Sequence, residues 1–387
     1  MANSQRFIQI SLKLAGIYLH IPFCKQACHY CDFHFSTSLS NKKEFVSAII
    51  KEIKLQENYL NQEVIDTIYF GGGTPSLLTE NELGLILNEL AQIHTIASDA
   101  ELTLEANPDD LNPKNLKTFK SLGLNRLSIG IQTFHDPFLK WMNRAHNAHE
   151  ALKCVSMAKE AGFDNLSIDL IYGIPHIDHS VWESDLAQAM ALNVNHISAY
   201  NLTIENKTVF GKWKKTGKLS EATDEFAAQQ FEMLINTLAA NKYTQYEISN
   251  FCKNENYSKH NSSYWKGIKY VGLGPSAHSY NGHSRQSNVS HNSKYINSLH
   301  ENIMPSTVEI LSEKDKANEH LITRLRTMWG ADTTYLYQFK SLDFSAFEST
   351  LKNYVLYNYI TKTGTTLTLT EKGKFLADKI IRDLFFE

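Results

Sequence analysis

Cys24, Cys28 and Cys31 lie in the stretch HIPFCKQACHYCDFHF (20–35), three of the chain's five cysteines within eight positions. Their spacing is CxxxCxxC, and Phe33 stands two residues beyond the third. Thiolates this close suit an iron–sulfur cluster or zinc. Structural zinc takes a closed set of four ligands, and His29 or His34 could supply the fourth, but no second CxxC or HxxH half follows. Three thiolates on a four-iron cube leave one iron open, and an open position is what separates a catalytic metal from a structural one. Five cysteines with three clustered make no disulfide framework and fit a reducing compartment. Cys154 and Cys252 carry no motif and read as structural.

YFGGGTPSLL (69–78) brings backbone close to whatever it faces, because glycines carry no Cβ. It lacks the lysine of a phosphate-binding GxxxxGK[ST] loop. Glu105 in TLEANPDDL, Gln132 in NRLSIGIQTF, Arg144 in WMNRAHN and Asp169 in SIDLIYGIP are polar residues near the ends of apolar runs. Singly, each reads as a solvated loop residue. As a set, carboxylates and an amide suit ribose hydroxyls, and a guanidinium suits a carboxylate through a two-pronged fork. KHNSSYWKG (259–267) places His260 and Asn261 beside Tyr264 and Trp265. Such a histidine is more often a packed, satisfied core residue than a ligand. Neutral imidazole is nevertheless an axial ligand of haem iron, and aromatic rings pack on a porphyrin face. YVGLGPSAHSY (270–280) follows, and its His278 has no single assignment.

The elements that must position these residues alternate strand and helix from about 15 to 205. Strands are expected at 16–21, 64–70, 101–106, 125–132, 165–173 and 196–202, each too apolar to leave one face in water. A helix is expected over 40–60 with Ser40 as N-cap, and another after the capping-box pair Thr79 and Glu82. A third is expected from Asn112-Pro113 to Gly123. Six β/α units predict a parallel α/β sheet, and their regular repetition favours a partial (β/α)6 barrel over an open doubly wound sheet, with chemistry at the C-terminal strand ends. After about 215 the rhythm changes. A helix over 223–240, a Tyr-rich strand YTQYEISNF, a polar loop to about 300 and helices near 314–328 and 370–385 predict a smaller α+β domain. The division is 1–14 as an extension, 15–215 as the barrel and 216–387 as the second domain.

Among 387 residues, 42% are hydrophobic and 20% charged, which is ordinary for a globular chain. The net charge of −3 gives no footprint of general nucleic-acid binding. No apolar run reaches the roughly 18 residues of a spanning helix, and the N-terminus has no h-region of a signal peptide.

CxxxCxxC after a first strand, with Tyr30 before the last cysteine, resembles the radical S-adenosylmethionine (SAM) superfamily. The resemblance implies a [4Fe–4S] cluster on Cys24, Cys28 and Cys31 whose open iron binds the amino and carboxylate groups of SAM. It further implies an electron donor for splitting SAM into methionine and a 5′-deoxyadenosyl radical. Gly72, Gly73 and Thr74 match the glycine-rich motif that receives the SAM amino group. From residue 15 to the C-terminus the chain is similar to the porphyrin branch of the superfamily. There Glu105, Gln132, Arg144 and Asp169, with Tyr18 and Thr203, fall on SAM contact positions. The branch holds oxygen-independent coproporphyrinogen III dehydrogenases and a paralogous type that carries haem to acceptor proteins. The dehydrogenase type has a fourth cysteine, where this chain has Phe33, and a longer segment before the first strand. His260, Asn261, Tyr264 and Trp265 match HNxxYW of the chaperone type, so the resemblance favours a haem chaperone. It implies acceptors that include respiratory membrane enzymes, and a cytoplasmic protein in peripheral contact with that membrane. A radical SAM methyltransferase would leave HNxxYW unexplained.

Overall fold

The computed structural model describes residues 14–387. The extension expected over 1–14 lies outside the described residues, save Leu14, which opens the first strand. Six strands follow in chain order: β1 (Leu14–Ile21), β2 (Val64–Gly72), β3 (Ile96–Ala106), β4 (Arg126–Gln132), β5 (Asn165–Tyr172) and β6 (His196–Asn201). They pair in parallel, each with the next in sequence. Their helices cover the sheet, and Ile17, Leu19, Phe70, Leu104, Ile129 and Ile168 are fully buried. β1 and β6 do not pair, so this is the open, partial barrel that the repetition predicted.

Two helix starts show how local chemistry sets the ends. Thr79 and Glu82 form the expected capping box around the helix Glu80–Ile93. Asn112 caps Pro113–Ser121, and Gly123 takes the left-handed conformation beyond it (φ +85°). Ser40 does not cap. Its hydroxyl bonds Ser38 at 3.0 Å, and the helix Lys42–Leu55 starts after Asn41 with no side-chain cap.

The chain beyond 215 does not separate cleanly from the barrel. The expected Tyr-rich strand is a hairpin of β7 (Thr244–Glu247) and β8 (Asn250–Cys252), tightened where the Glu247 carboxylate accepts from Ser249 N and Asn250 Nδ2. β8 adds antiparallel to β6. At the other edge β9 (Tyr270–Leu273) adds parallel to β1, followed by β10 (His278–Tyr280), β11 (Ser284–Asn288) and β12 (Ser306–Ile310). Among the described residues, one sheet of 12 strands thus crosses the expected boundary. A second, smaller core forms around Leu321, Phe347, Leu351 and Ile380. It packs on a three-stranded sheet of β13 (Ala331–Asp332), β14 (Ile360–Thr363) and β15 (Thr366–Leu369). No helix among the described residues is long and apolar enough to cross a membrane.

Candidate functional site

The cysteine loop leaves the C-terminal end of β1 and is closed at its base by Cys24 N donating to Ser36 O and Ser36 N donating to Pro22 O. The WMNRAHN segment holds it from below. His29 N donates to Met142 O at 3.0 Å and Asn143 Nδ2 to Ala27 O at 2.8 Å. Cys24, Cys28 and Cys31 are free and partly exposed, whereas Cys154 and Cys252 are buried. Burial pushes the Cys24 thiol up to about 11 and Cys31 to about 12, so a metal must displace these protons as it binds. His29 bonds Trp141 O through Nδ1, and His34 bonds Asn292 Oδ1 through Nε2. Among the described residues no three His, Cys, Asp or Glu side chains converge on one ion. A cube places each thiolate on a separate iron, and this donor set fits that demand rather than a closed zinc tetrahedron.

Arg144 lies beneath the loop. Nη1 reaches Cys28 Sγ and the Tyr30 hydroxyl, both at 3.4 Å. Nη2 donates to Asn107 Oδ1 at 2.8 Å and Gly130 O at 2.7 Å. Its Nε is buried without a partner. A buried guanidinium with one orphaned donor and neutral partners lacks an anion, and a carboxylate beside the thiols would supply it.

The glycine turn ends β2. Gly72 has φ +106°, and a Cβ on Gly73 would come within 2.6 Å of Phe23 O, so side chains are excluded. The N–H groups of Gly73 and Thr74 donate back to Ile21 O and Phe23 O, and Gly72 N donates to Glu105 Oε2. These donors are therefore spent, and Thr74 O accepts from Leu77 N. Glu105 also accepts from the Tyr69 hydroxyl at 2.8 Å, and burial raises its carboxyl to about 7. Asp169, beside the Ser128 hydroxyl, is raised to about 6 by burial. Gln132 sits on a bulge at the end of β4 with φ +71°, its amide against Gly130 near Arg144. Thr203 stands apart: exposed after β6, it lines a separate crevice with Gly173 and Asp224.

Tyr18 projects from β1 and hydrogen-bonds His20 Nδ1 at 3.1 Å, while His20 Nε2 bonds His34 O. His20 is a polar residue at the tail of a strand, a position that the sequence marks, and it shares one strand face with Tyr18. Asn107, which joins Arg144 to Thr74, and Arg126, buried behind Asp169, were missed.

His260 is 1% exposed. Thr67 Oγ1 and the Tyr264 hydroxyl, each at 2.7 Å, take its two ring nitrogens, and its backbone N–H donates to Glu101. Gly16 leaves the room: a Cβ there would lie 3.3 Å from the imidazole. As placed, His260 has no nitrogen for iron, and the packed, satisfied reading of this histidine is the one the geometry supports. Asn261 takes part in the helix start through its backbone N–H, which donates to Ser258 Oγ. Tyr264 and Trp265 instead face a cavity of about 1110 Å³ between the barrel mouth and the second core. Phe33, 74% exposed, lines the same cavity just beyond the cysteines.

Residues 18–187 match the model of the Radical SAM superfamily. The chain is 34% identical to "Heme chaperone HemW" of Bacillus subtilis over 95% of this chain and 98% of that protein. It is 31% identical to the protein of the same name from Lactococcus lactis, over 94% and 97%. Its fold is that of "Coproporphyrinogen III oxidase (HemN) from Escherichia coli", with a TM-score of 0.83 and 21% identity over 96% of this chain and 90% of that one. The chain belongs to the radical SAM superfamily and, within it, to the family of the HemW haem chaperones.

Proposed function

We propose that this protein is a haem chaperone that binds haem, a [4Fe–4S] cluster and SAM, and delivers haem to acceptor proteins. The observation that carries the reading is near-full-length identity to proteins named haem chaperones, combined with a large aromatic cavity that opens beside the cysteine loop. Bound cluster and SAM would supply an electron-accepting sulfonium beside a redox-active iron centre. Cys24, Cys28 and Cys31 hold the cluster. Arg144, whose Nε has no partner, would hold the SAM carboxylate, and the Gly72–Gly73 turn would meet its amino group. Glu105, Gln132 and Asp169 face the ribose, while Tyr18 and Tyr30 bound the site on the sides of β1 and the loop.

Haem is flat, apolar in the middle and doubly anionic at one edge. The cavity offers Tyr264, Trp265 and Tyr270 as faces, and Lys266, Lys316 and Arg324 as cations for the propionates. His260 fixes the Tyr264 hydroxyl rather than meeting the iron. Phe33, in place of a fourth cysteine, favours the chaperone over the dehydrogenase. The test is haem transfer. The loaded chain, mixed with an apo-haem protein, should lose its Soret band while the acceptor gains its own. Haem that stays on the chain, or a chain that never binds it, contradicts the reading.

A further inference from the structure

Four histidines line the cavity: His20, His34, His278 and His320. His20 uses both ring nitrogens. His34 and His320 are each tethered through Nε2, to Asn292 Oδ1 and to Asp332 O at 3.1 Å, and the His320 ring also stacks on Tyr335. His278 is different. Its side chain is exposed to the cavity, and among the described residues its ring makes no hydrogen bond. Its backbone is rigid, since His278 pairs with Ser287 across β10 and β11 and its carbonyl lies so close to Gly272 that a Cβ there would clash.

We infer that His278 is the axial ligand of haem iron in this cavity, with the porphyrin face against Tyr264 and Trp265. This rests on the haem-chaperone reading and departs from the HNxxYW histidine as ligand. Partial burial and the Arg285 guanidinium hold the His278 imidazole below its ordinary range, so it stays neutral and able to coordinate at neutral pH. Arg285 itself is paired with Glu319. Lys316, on the helix Glu313–Arg324, also lines the cavity and offers a cation for a propionate edge.

The test compares ferric haem with metal-free protoporphyrin IX on the full chain. His278→Ala should weaken haem about tenfold or more, equivalent to about 1.4 kcal/mol. It should shift the Soret band and regain the native spectrum when imidazole is added. Protoporphyrin IX, which has no iron to coordinate, should bind the variant and the native chain alike. His149→Ala, an exposed histidine outside the cavity, should leave the haem spectrum unchanged. An unaltered spectrum in His278→Ala, or equal loss of haem and protoporphyrin IX, overturns the assignment. Failure of the native chain to bind haem at all would instead overturn the chaperone reading.

Discussion

His260 and Tyr264 share a 2.7 Å hydrogen bond through Nε2, and with Thr67 on Nδ1 the imidazole is fully engaged inside the protein. The pair joins the helix Lys259–Trp265 to β2, and only the tyrosine end reaches the cavity.

Replacing His260 by Ala therefore strands the Thr67 and Tyr264 hydroxyls and leaves a void against Tyr69. It should lower stability by about 3 kcal/mol. In urea melts the midpoint should fall. Haem bound to the folded fraction should keep its native axial spectrum. Loss of an axial ligand with unchanged stability would reverse this assignment.

Cys24→Ala, Cys28→Ala and Cys31→Ala should each abolish a chemically reconstituted four-iron centre, since each thiolate serves its own iron. Cys154→Ala and Cys252→Ala should retain it, because both side chains are buried in the core. Iron and sulfide analysis reads the outcome, and a stable cluster in Cys28→Ala contradicts it.

Arg144→Lys keeps a charge but loses the planar fork and the orphaned Nε. SAM affinity, followed by its effect on the reduced-cluster EPR signal, should drop roughly tenfold to hundredfold, matching about 1.5–3 kcal/mol for a charge-assisted bond. Iron content should be retained. Native affinity for SAM in this variant would separate Arg144 from the carboxylate.

Glu105 titrates near 7 in the folded chain against 4.5 ordinarily, because burial disfavours its charge. The folded state then binds more protons than the unfolded state between those values. Stability should fall as pH rises from about 4.5 to about 7, and this part of the cost is absent below 4.5. Glu105→Gln should flatten the slope of unfolding free energy over that window. An unchanged slope would contradict the raised carboxyl.

The legible parts of the fold were those with local causes. Thr79 with Glu82, Asn112 with Pro113, and the six apolar runs all announce themselves within a few residues. The illegible parts depend on distant partners. β9 joins β1 across some 250 positions, and neither strand carries a sign of the other, so one sheet crosses a boundary that the change of rhythm placed near 215. The site divides in the same way. The cysteines and glycines are set by spacing, and Arg144 by its motif. His20 and Asn107 matter through contacts with residues far along the chain, and His260 is satisfied by Thr67, 193 residues away. Of the two motif histidines, the one without a sequence assignment, His278, is the one that the fold leaves free.

The central claim is that a radical SAM scaffold here serves haem handling rather than decarboxylation. Its most direct test is a paired measurement on the anaerobically reconstituted full chain. One aliquot is titrated with haem. The other receives SAM, a reductant and coproporphyrinogen III. The account predicts a saturable Soret band in the first and no protoporphyrinogen in the second, with Phe33 in place of a fourth cysteine. Efficient conversion of coproporphyrinogen III by a chain that does not bind haem would contradict it.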